Sequence, residues 1–225
     1  MLPLSTLNIP IDVDSVNIWA YHAFVARKRQ NRYHHGDLSR ALVEEAVRTI
    51  QKSGVEGLTL RAVGLRLGVS RTALYRHFAD KSALLAAVAS EGFRTLRLET
   101  QGAWEQHGGG RAGLDAMGAA YVHFAVAHPS HYRVMFGGYV RNAPADTELS
   151  REGGGAFQVL VDAIVALQQQ GSIRDDSPLE LAQYIWATVH GIAMLAIGGL
   201  LRQPVDIVLR FAMERMRSGT HGAVE

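Results

Sequence analysis

Apolar side chains recur along this chain at the three- and four-residue spacing of amphipathic helices. Leu38, Leu42, Val43, Ala46, Val47 and Ile50 outline a first helix that Asp37 can cap and Gly54 can stop. After the Gly54–Gly57 turn, Thr59 can cap a short second helix to about Leu67, with Leu60, Val63 and Leu67 as its apolar stripe. Gly64 inside it costs about 1 kcal/mol relative to alanine, which points to close packing there. Gly68, Val69 and Ser70 make a tight corner, and Ser70 can cap a third helix from Arg71 to about Phe78. Two short helices joined by a three-residue turn containing glycine form a helix-turn-helix, whose second helix enters the DNA major groove.

Downstream, a connecting helix is predicted from Lys81 to about Trp104, broken by Gly108-Gly109-Gly110, with another from Arg111 to Ala127. His128 should end that segment, because a residue before proline avoids the helical region, and Pro129 should open a short helix through Phe136. Gly137 to Leu149 reads as a mobile loop and Ala156 to Gln170 as a helix whose start Gly153-Gly154-Gly155 leaves open. Leu181 to Leu201 is a run of 21 uncharged residues, about the length that spans a bilayer. Gln183, Tyr184, Thr188, His190 and three glycines within it favour a helix buried in a core or subunit interface, so no membrane is expected as a partner. A final helix, about Val205 to Met216, has Val205, Val208, Leu209, Ala212 and Met216 on one stripe and should pack beside that run.

Composition narrows the class. The 225 residues are 48% hydrophobic and 20% charged, which excludes a disordered or collagen-like chain. With no cysteine, disulfide frameworks, thiolate metal sites and thiol catalysis are excluded, and a cytoplasmic location is expected. Residues 1–26 lack Lys and Arg, and the basic cluster after them stands in the wrong order for a secretory signal. The net charge of +2 hides a split. Residues 27–81 hold twelve basic and five acidic side chains, a surplus of +7, and the rest of the chain is at −5. A polyanion should therefore bind the head alone.

The third helix suits that partner. Arg71, Thr72 and Ala73 stand at its N-terminal end, where an arginine can reach guanine O6 and N7, and threonine and alanine methyls can touch a thymine methyl. Tyr75, His77 and Lys81 are candidate phosphate contacts, as is Thr59 through its hydroxyl or a backbone N–H. Leu74 and Phe78 hold the helix in its bundle, and Arg76 reads as a solvated charge. Arg27-Lys28-Arg29 with Arg32 form a basic run that could act as a minor-groove arm.

The stretch LTLRAVGLRLGVSRTALYRHFADKSALLAAV resembles the DNA-binding signature of the tetracycline-repressor-like (TetR) family, most specifically at Gly68-Val69-Ser70, Leu74-Tyr75, His77-Phe78 and Lys81. The resemblance covers Tyr33 to Phe93 and departs from the family at Gly64, where alanine is more usual. It implies an all-α homodimer with a three-helix head, a connecting fourth helix and a larger helical body that binds a small molecule. It gives Thr59, Tyr75, His77 and Lys81 phosphate-positioning roles and Arg71, Thr72 and Ala73 base-reading roles on a double-stranded DNA operator. WATVHGIAMLAIGG is similar to the Trp-x-x-x-His-Gly pattern of one subgroup of TetR-like C-terminal domains, with Trp186 and His190 on one helix face. That places helices at about 178–200 and 205–217 in the dimer contact.

The expected organisation is an N-terminal extension over 1–32, a helix-turn-helix domain over 33–93, a ligand-binding and dimerisation domain over 94–218 and a tail over 219–225. Ligand sites are mostly apolar with a few polar groups, and the expected pocket residues are Tyr121, Phe124, His128, Tyr132, Phe136, Trp186, His190 and Met194. His123, His128, His131 and His190 raise a metal-responsive alternative, but with ligand spacing absent no metal or other cofactor is expected. No nucleophile elbow, phosphate loop or paired-carboxylate motif argues for an enzyme.

Overall fold

The computed structural model describes residues 35–140 and 147–220, so the N-terminal extension, the Arg27–Arg32 basic run, the centre of the 137–149 loop and the last five residues lie outside the described part. The packing below is that of the compact unit beginning at Arg40. Among the described residues there are nine helices and no strand: α1 (His35–Ser53), α2 (Leu60–Arg66), α3 (Arg71–His77), α4 (Lys81–Gln106), α5 (Gly110–Ala127), α6 (Pro129–Phe136), α7 (Glu148–Gln169), α8 (Pro178–Ile197) and α9 (Val205–Thr220). The all-α expectation holds.

Local chemistry sets the boundaries of the head. α1 begins before Asp37, so that residue lies in its first turn rather than capping it. Thr59 caps α2 by accepting from Ala62 N–H, and Ser70 caps α3 by accepting from Ala73 N–H. Gly68 turns the corner between them at a φ of +65°, a left-handed conformation that a side chain would strain. The missing side chain of Gly64 has the predicted packing reason: a Cβ there would stand 3.2 Å from Leu74 Cδ2. Leu42, Ala46, Ile50, Leu58, Val63, Leu74 and Phe78 are buried, and so are Leu84, Leu85 and Val88 at the start of α4, which makes α4 part of the head's core.

The same helix continues into the body without a break, across the expected boundary at 93/94. It packs along α5, α6 and α7, while α8 packs on α5 and α7, and α9 on α8. Three consecutive left-handed glycines, Gly108 to Gly110, reverse the chain between α4 and α5. Trp104 lies over this reversal, leaving no room for a Cβ at Gly113. α7 corrects an expectation: it starts at Thr147, not near Ala156, and runs straight through Gly153-Gly154-Gly155. Thr147 caps it, and Glu148 and Glu152 anchor its first turns to α4. Arg94 pairs with both carboxylates, and Arg97 with Glu152 at 3.3 Å. Glycine's low helix propensity is overridden by these contacts and by the close approach of Gly153 and Gly155 to Phe93 and Arg97.

The uncharged run becomes α8, with Leu181, Ala182, Ile185, Val189, Ile192 and Ala193 buried. Among the described residues no helix is long and apolar enough to cross a membrane. α8 and α9 also carry exposed apolar side chains: Tyr184, Met194 and Leu195 on the first, Ile207 and Phe211 on the second.

Candidate functional site: an exposed recognition helix and an apolar cavity joined by one helix

Arg71, Thr72, Tyr75 and Arg76 stand on the exposed side of α3, Ala73, His77 and Lys81 are half-buried, and Leu74 and Phe78 face the core. The guanidinium of Arg71 lies 5.6 Å from the centroid of the Tyr75 ring, a cation–π contact that joins one turn of α3 to the next. Thr59 is exposed, and its oxygen accepts from Ala62 N–H, so its hydroxyl hydrogen remains free to donate. Behind this surface Arg66 fastens α2 to α1, reaching Glu45 at 3.2 Å and Thr49 Oγ1 at 2.7 Å. Arg48 adds a 2.8 Å contact to Glu45, and its hydrogen bond, with that of Arg66, holds the Glu45 carboxyl below its ordinary range against the opposing effect of burial. Arg48 and Arg66 are thus tied to an internal carboxylate, and the exposed cations of the helix-turn-helix are Arg61, Arg71 and Arg76.

The body encloses a cavity of about 320 Å³. Phe93, Leu96 and Thr100 of α4 line it, with Leu114, Met117, Gly118 and Tyr121 of α5. Phe136 closes it from α6, Ala156, Phe157 and Leu160 from α7, and Gln183, Ile185, Trp186 and Val189 from α8. Protein interiors seldom hold voids larger than a water molecule. Left empty, a space of 320 Å³ would forgo up to about 8 kcal/mol of packing, at about 24 cal/mol per Å³.

One wall carries a polar network. Trp186 Nε1–H donates to the Tyr121 hydroxyl at 3.0 Å. Tyr132 stands 3.0 Å from that oxygen and 2.7 Å from His190 Nδ1, which is also 3.0 Å from Tyr121. Burial pushes the Tyr121 phenol up to about 12 and the Tyr132 phenol further, while it lowers His190, so both phenols stay protonated and the imidazole stays neutral. His190 is wedged between Tyr132, Phe136 and Trp186, with ring centroids 5.6, 4.8 and 5.6 Å away.

Of the eight residues expected in a pocket, Tyr121, Phe136 and Trp186 line the cavity. Tyr132 and His190 stand behind Tyr121 and Trp186, supporting the wall. Phe124 is fully buried against His128 and Tyr132, and His128 lies at the α5–α6 junction, 3.9 Å from Glu99. Met194 is exposed, because eight helical residues rotate a side chain by roughly 80° from Trp186. The sequence reading missed the lining from α4 and α7, although Phe93, Leu96 and Thr100 on one and Ala156, Phe157 and Leu160 on the other are spaced as helix faces. The histidines disperse: His123 pairs with Asp206 at 2.7 Å, His131 stands 3.6 Å from Glu91, and His190 joins the tyrosines. Their carboxylate neighbours come from distant helices, which sequence spacing could not reveal. Among the described residues no group of three or more potential ligands gathers to hold a metal ion.

Residues 42–88 match the family of bacterial regulatory proteins of the tetR family, and residues 114–216 match the tetracyclin repressor-like C-terminal domain. The chain belongs to the TetR family. It is a DNA-binding transcriptional regulator, not an enzyme. A protein of unknown function from Rhodococcus sp. RHA1 superposes with a TM-score of 0.77 at 36% identity, covering 86% of this chain and all of that one. Rv0681 of Mycobacterium tuberculosis, an uncharacterized HTH-type transcriptional regulator, is 28% identical over 195 residues, 81% of this chain and 83% of its own. The class C tetracycline repressor of Escherichia coli is 47% identical over 49 residues, 22% of either chain. The sharper likeness over so short a span marks the TetR head as the better matched part.

Proposed function

We propose that this TetR regulator is a cytoplasmic, ligand-responsive repressor that binds a pseudo-palindromic operator as a homodimer and leaves it when a small molecule fills the body cavity. The observation that carries the reading is the unbroken course of α4, whose first turns lie in the head's core while Phe93, Leu96 and Thr100 line the cavity. A ligand that binds one placement of α4 more tightly than another shifts the head by differential affinity alone. Residues 33–93 form the DNA-binding domain and 94–218 the ligand-binding and dimerisation domain. Arg71, Thr72 and Ala73 read bases, and Thr59, Tyr75, His77 and Lys81 position the phosphate backbone. The dimer forms through α8 and α9, whose exposed Tyr184, Met194, Leu195, Ile207 and Phe211 call for cover. Dispersal of the histidines leaves the metal-responsive alternative without an observation in its favour.

The test is a salt series of operator binding, with the operator first obtained by selection from a random DNA pool. An enriched palindrome is expected. Lys81→Ala should weaken binding to all sequences alike and flatten the dependence of log affinity on log salt by about one phosphate contact, about 0.9 in slope. Arg71→Ala should relax preference at one or two base pairs at a cost of about 1 to 3 kcal/mol. Identical behaviour of the two variants would remove these roles.

A further inference from the structure

The sixteen described residues that line the cavity include no Asp, Glu, Lys, Arg or His. The two arginines that α4 carries beside Phe93 and Leu96 are engaged outward, Arg94 with Glu148 and Glu152, and Arg97 with Glu152. A buried anion would therefore lose its hydration with no counter-charge from this wall. Thr100 is closed to a ligand too, since its hydroxyl donates to the Leu96 carbonyl at 2.9 Å. Gln183 is exposed and marks the cavity's way to solvent.

That leaves the wall where Tyr121 and Trp186 meet, and proton counting shows what it offers. A neutral imidazole has one lone pair at Nδ1, and Tyr132 holds the shorter contact to it, 2.7 Å against 3.0 Å from Tyr121. Trp186 N–H already occupies one lone pair of the Tyr121 oxygen. The Tyr121 hydrogen thus has no exclusive acceptor in the network, and its phenol is the one in contact with the cavity, whereas Tyr132 is fully buried behind it.

We propose that the cavity receives an uncharged, mainly apolar molecule carrying one hydrogen-bond acceptor, such as a ketone, ester or lactone oxygen, which takes the Tyr121 O–H, and that it rejects anions of the same shape. Trp186, Tyr132 and His190 are positioning residues that hold the phenol as a donor. The inference rests on the reading of the cavity as the effector site and adds the class of effector.

The experiment titrates the full-length protein at pH 8 with three ten-carbon probes, methyl octyl ketone, decanoate and decane, following the ligand-induced rise in melting temperature. The ketone should bind more tightly than decane, and decanoate should bind at least tenfold more weakly than the ketone. Tyr121→Phe should reduce ketone affinity roughly five- to tenfold, the share of one hydrogen bond, and leave decane unchanged. If that variant fails to fold, Gln183→Lys at the exposed mouth decides: a cation there should raise decanoate affinity at least tenfold and leave the ketone unaffected. Decanoate binding as tightly as the ketone in the wild type, no binding of any probe, an unaltered ketone affinity in Tyr121→Phe, or no gain for decanoate in Gln183→Lys would each overturn the proposal. Operator affinity measured with the ketone at saturation separates the two levels: ketone bound without any change in operator binding leaves the ligand class standing and removes the regulator reading of the cavity.

Discussion

Ala156→Leu is the most direct probe of the cavity, because it fills space from a residue already in the lining. Three added carbons, at roughly the 30 Å³ that a water molecule occupies, take about 90 Å³ of the 320 Å³. Burial contributes about 0.8 kcal/mol per carbon, or about 2.4 kcal/mol. Immobilising a leucine side chain costs about 0.5 to 1 kcal/mol, and the helix propensities of alanine and leucine are close. The net gain is about 1.5 kcal/mol, and at about 2 to 4 °C per kcal/mol for a chain of this size the melting temperature should rise by about 3 to 6 °C. Operator affinity without ligand should match the wild type, since α3 and its caps are untouched, whereas release by an effector should be lost. Thermal unfolding and fluorescence anisotropy on labelled operator measure the two effects. A lower melting temperature would mean that the space is not available to a leucine, and a preserved effector response in a stabilised variant would mean that the effector binds elsewhere.

Other perturbations test other parts of the structure. Gly92→Ala should destabilise by about 1 to 3 kcal/mol, visible in thermal unfolding, because the new Cβ meets Met135 Sδ at 2.5 Å and His131 Cβ at 3.2 Å where α4 and α6 touch; unchanged stability would show that α6 yields freely. His190 has a folded-state pKa below its ordinary 6.5 through burial, so the unfolded chain binds the proton more readily, and stability should decline as pH falls through about 6.5, levelling off below the folded value. Melting curves at pH 8 and 5.5 should show that decline reduced in His190→Asn, and equal declines in both proteins would refute it. Gly191→Glu, on the exposed side of α8 with nothing within 4 Å of a Cβ, should give a folded monomer by sedimentation and lose operator binding; a persistent dimer would move the interface off α8.

The head was legible from sequence because its determinants are local. Thr59, Ser70 and Gly68 act on backbone groups within three residues of themselves, so cap and corner chemistry read directly into α2 and α3. The body was legible only where the same was true, as at His128-Pro129. The start of α7 was not, because Glu148 and Glu152 are held by arginines some fifty residues earlier, which no local propensity records. The cavity was half legible for a related reason. Aromatic residues can be recognised along the chain as pocket candidates, but whether a ring lines a space or fills it depends on what packs behind it. Phe124 and Tyr132 fill, Tyr121 and Trp186 line, and the aliphatic faces of α4 and α7 become walls only once the helices have met.

The continuity of α4 has a mechanical consequence. From Phe93 to Lys81 is twelve residues, about 18 Å of axial rise, and no proline or bulge interrupts that length to absorb a rotation. A tilt of about 5° imposed at the cavity would carry Lys81, and α3 with it, sideways by about 1.6 Å over that arm. In the proposed homodimer two such arms would alter the separation of the recognition helices by about 3 Å, against a groove repeat of about 34 Å. A small molecule can thus act on DNA by altering a distance between two heads that themselves stay folded as they are.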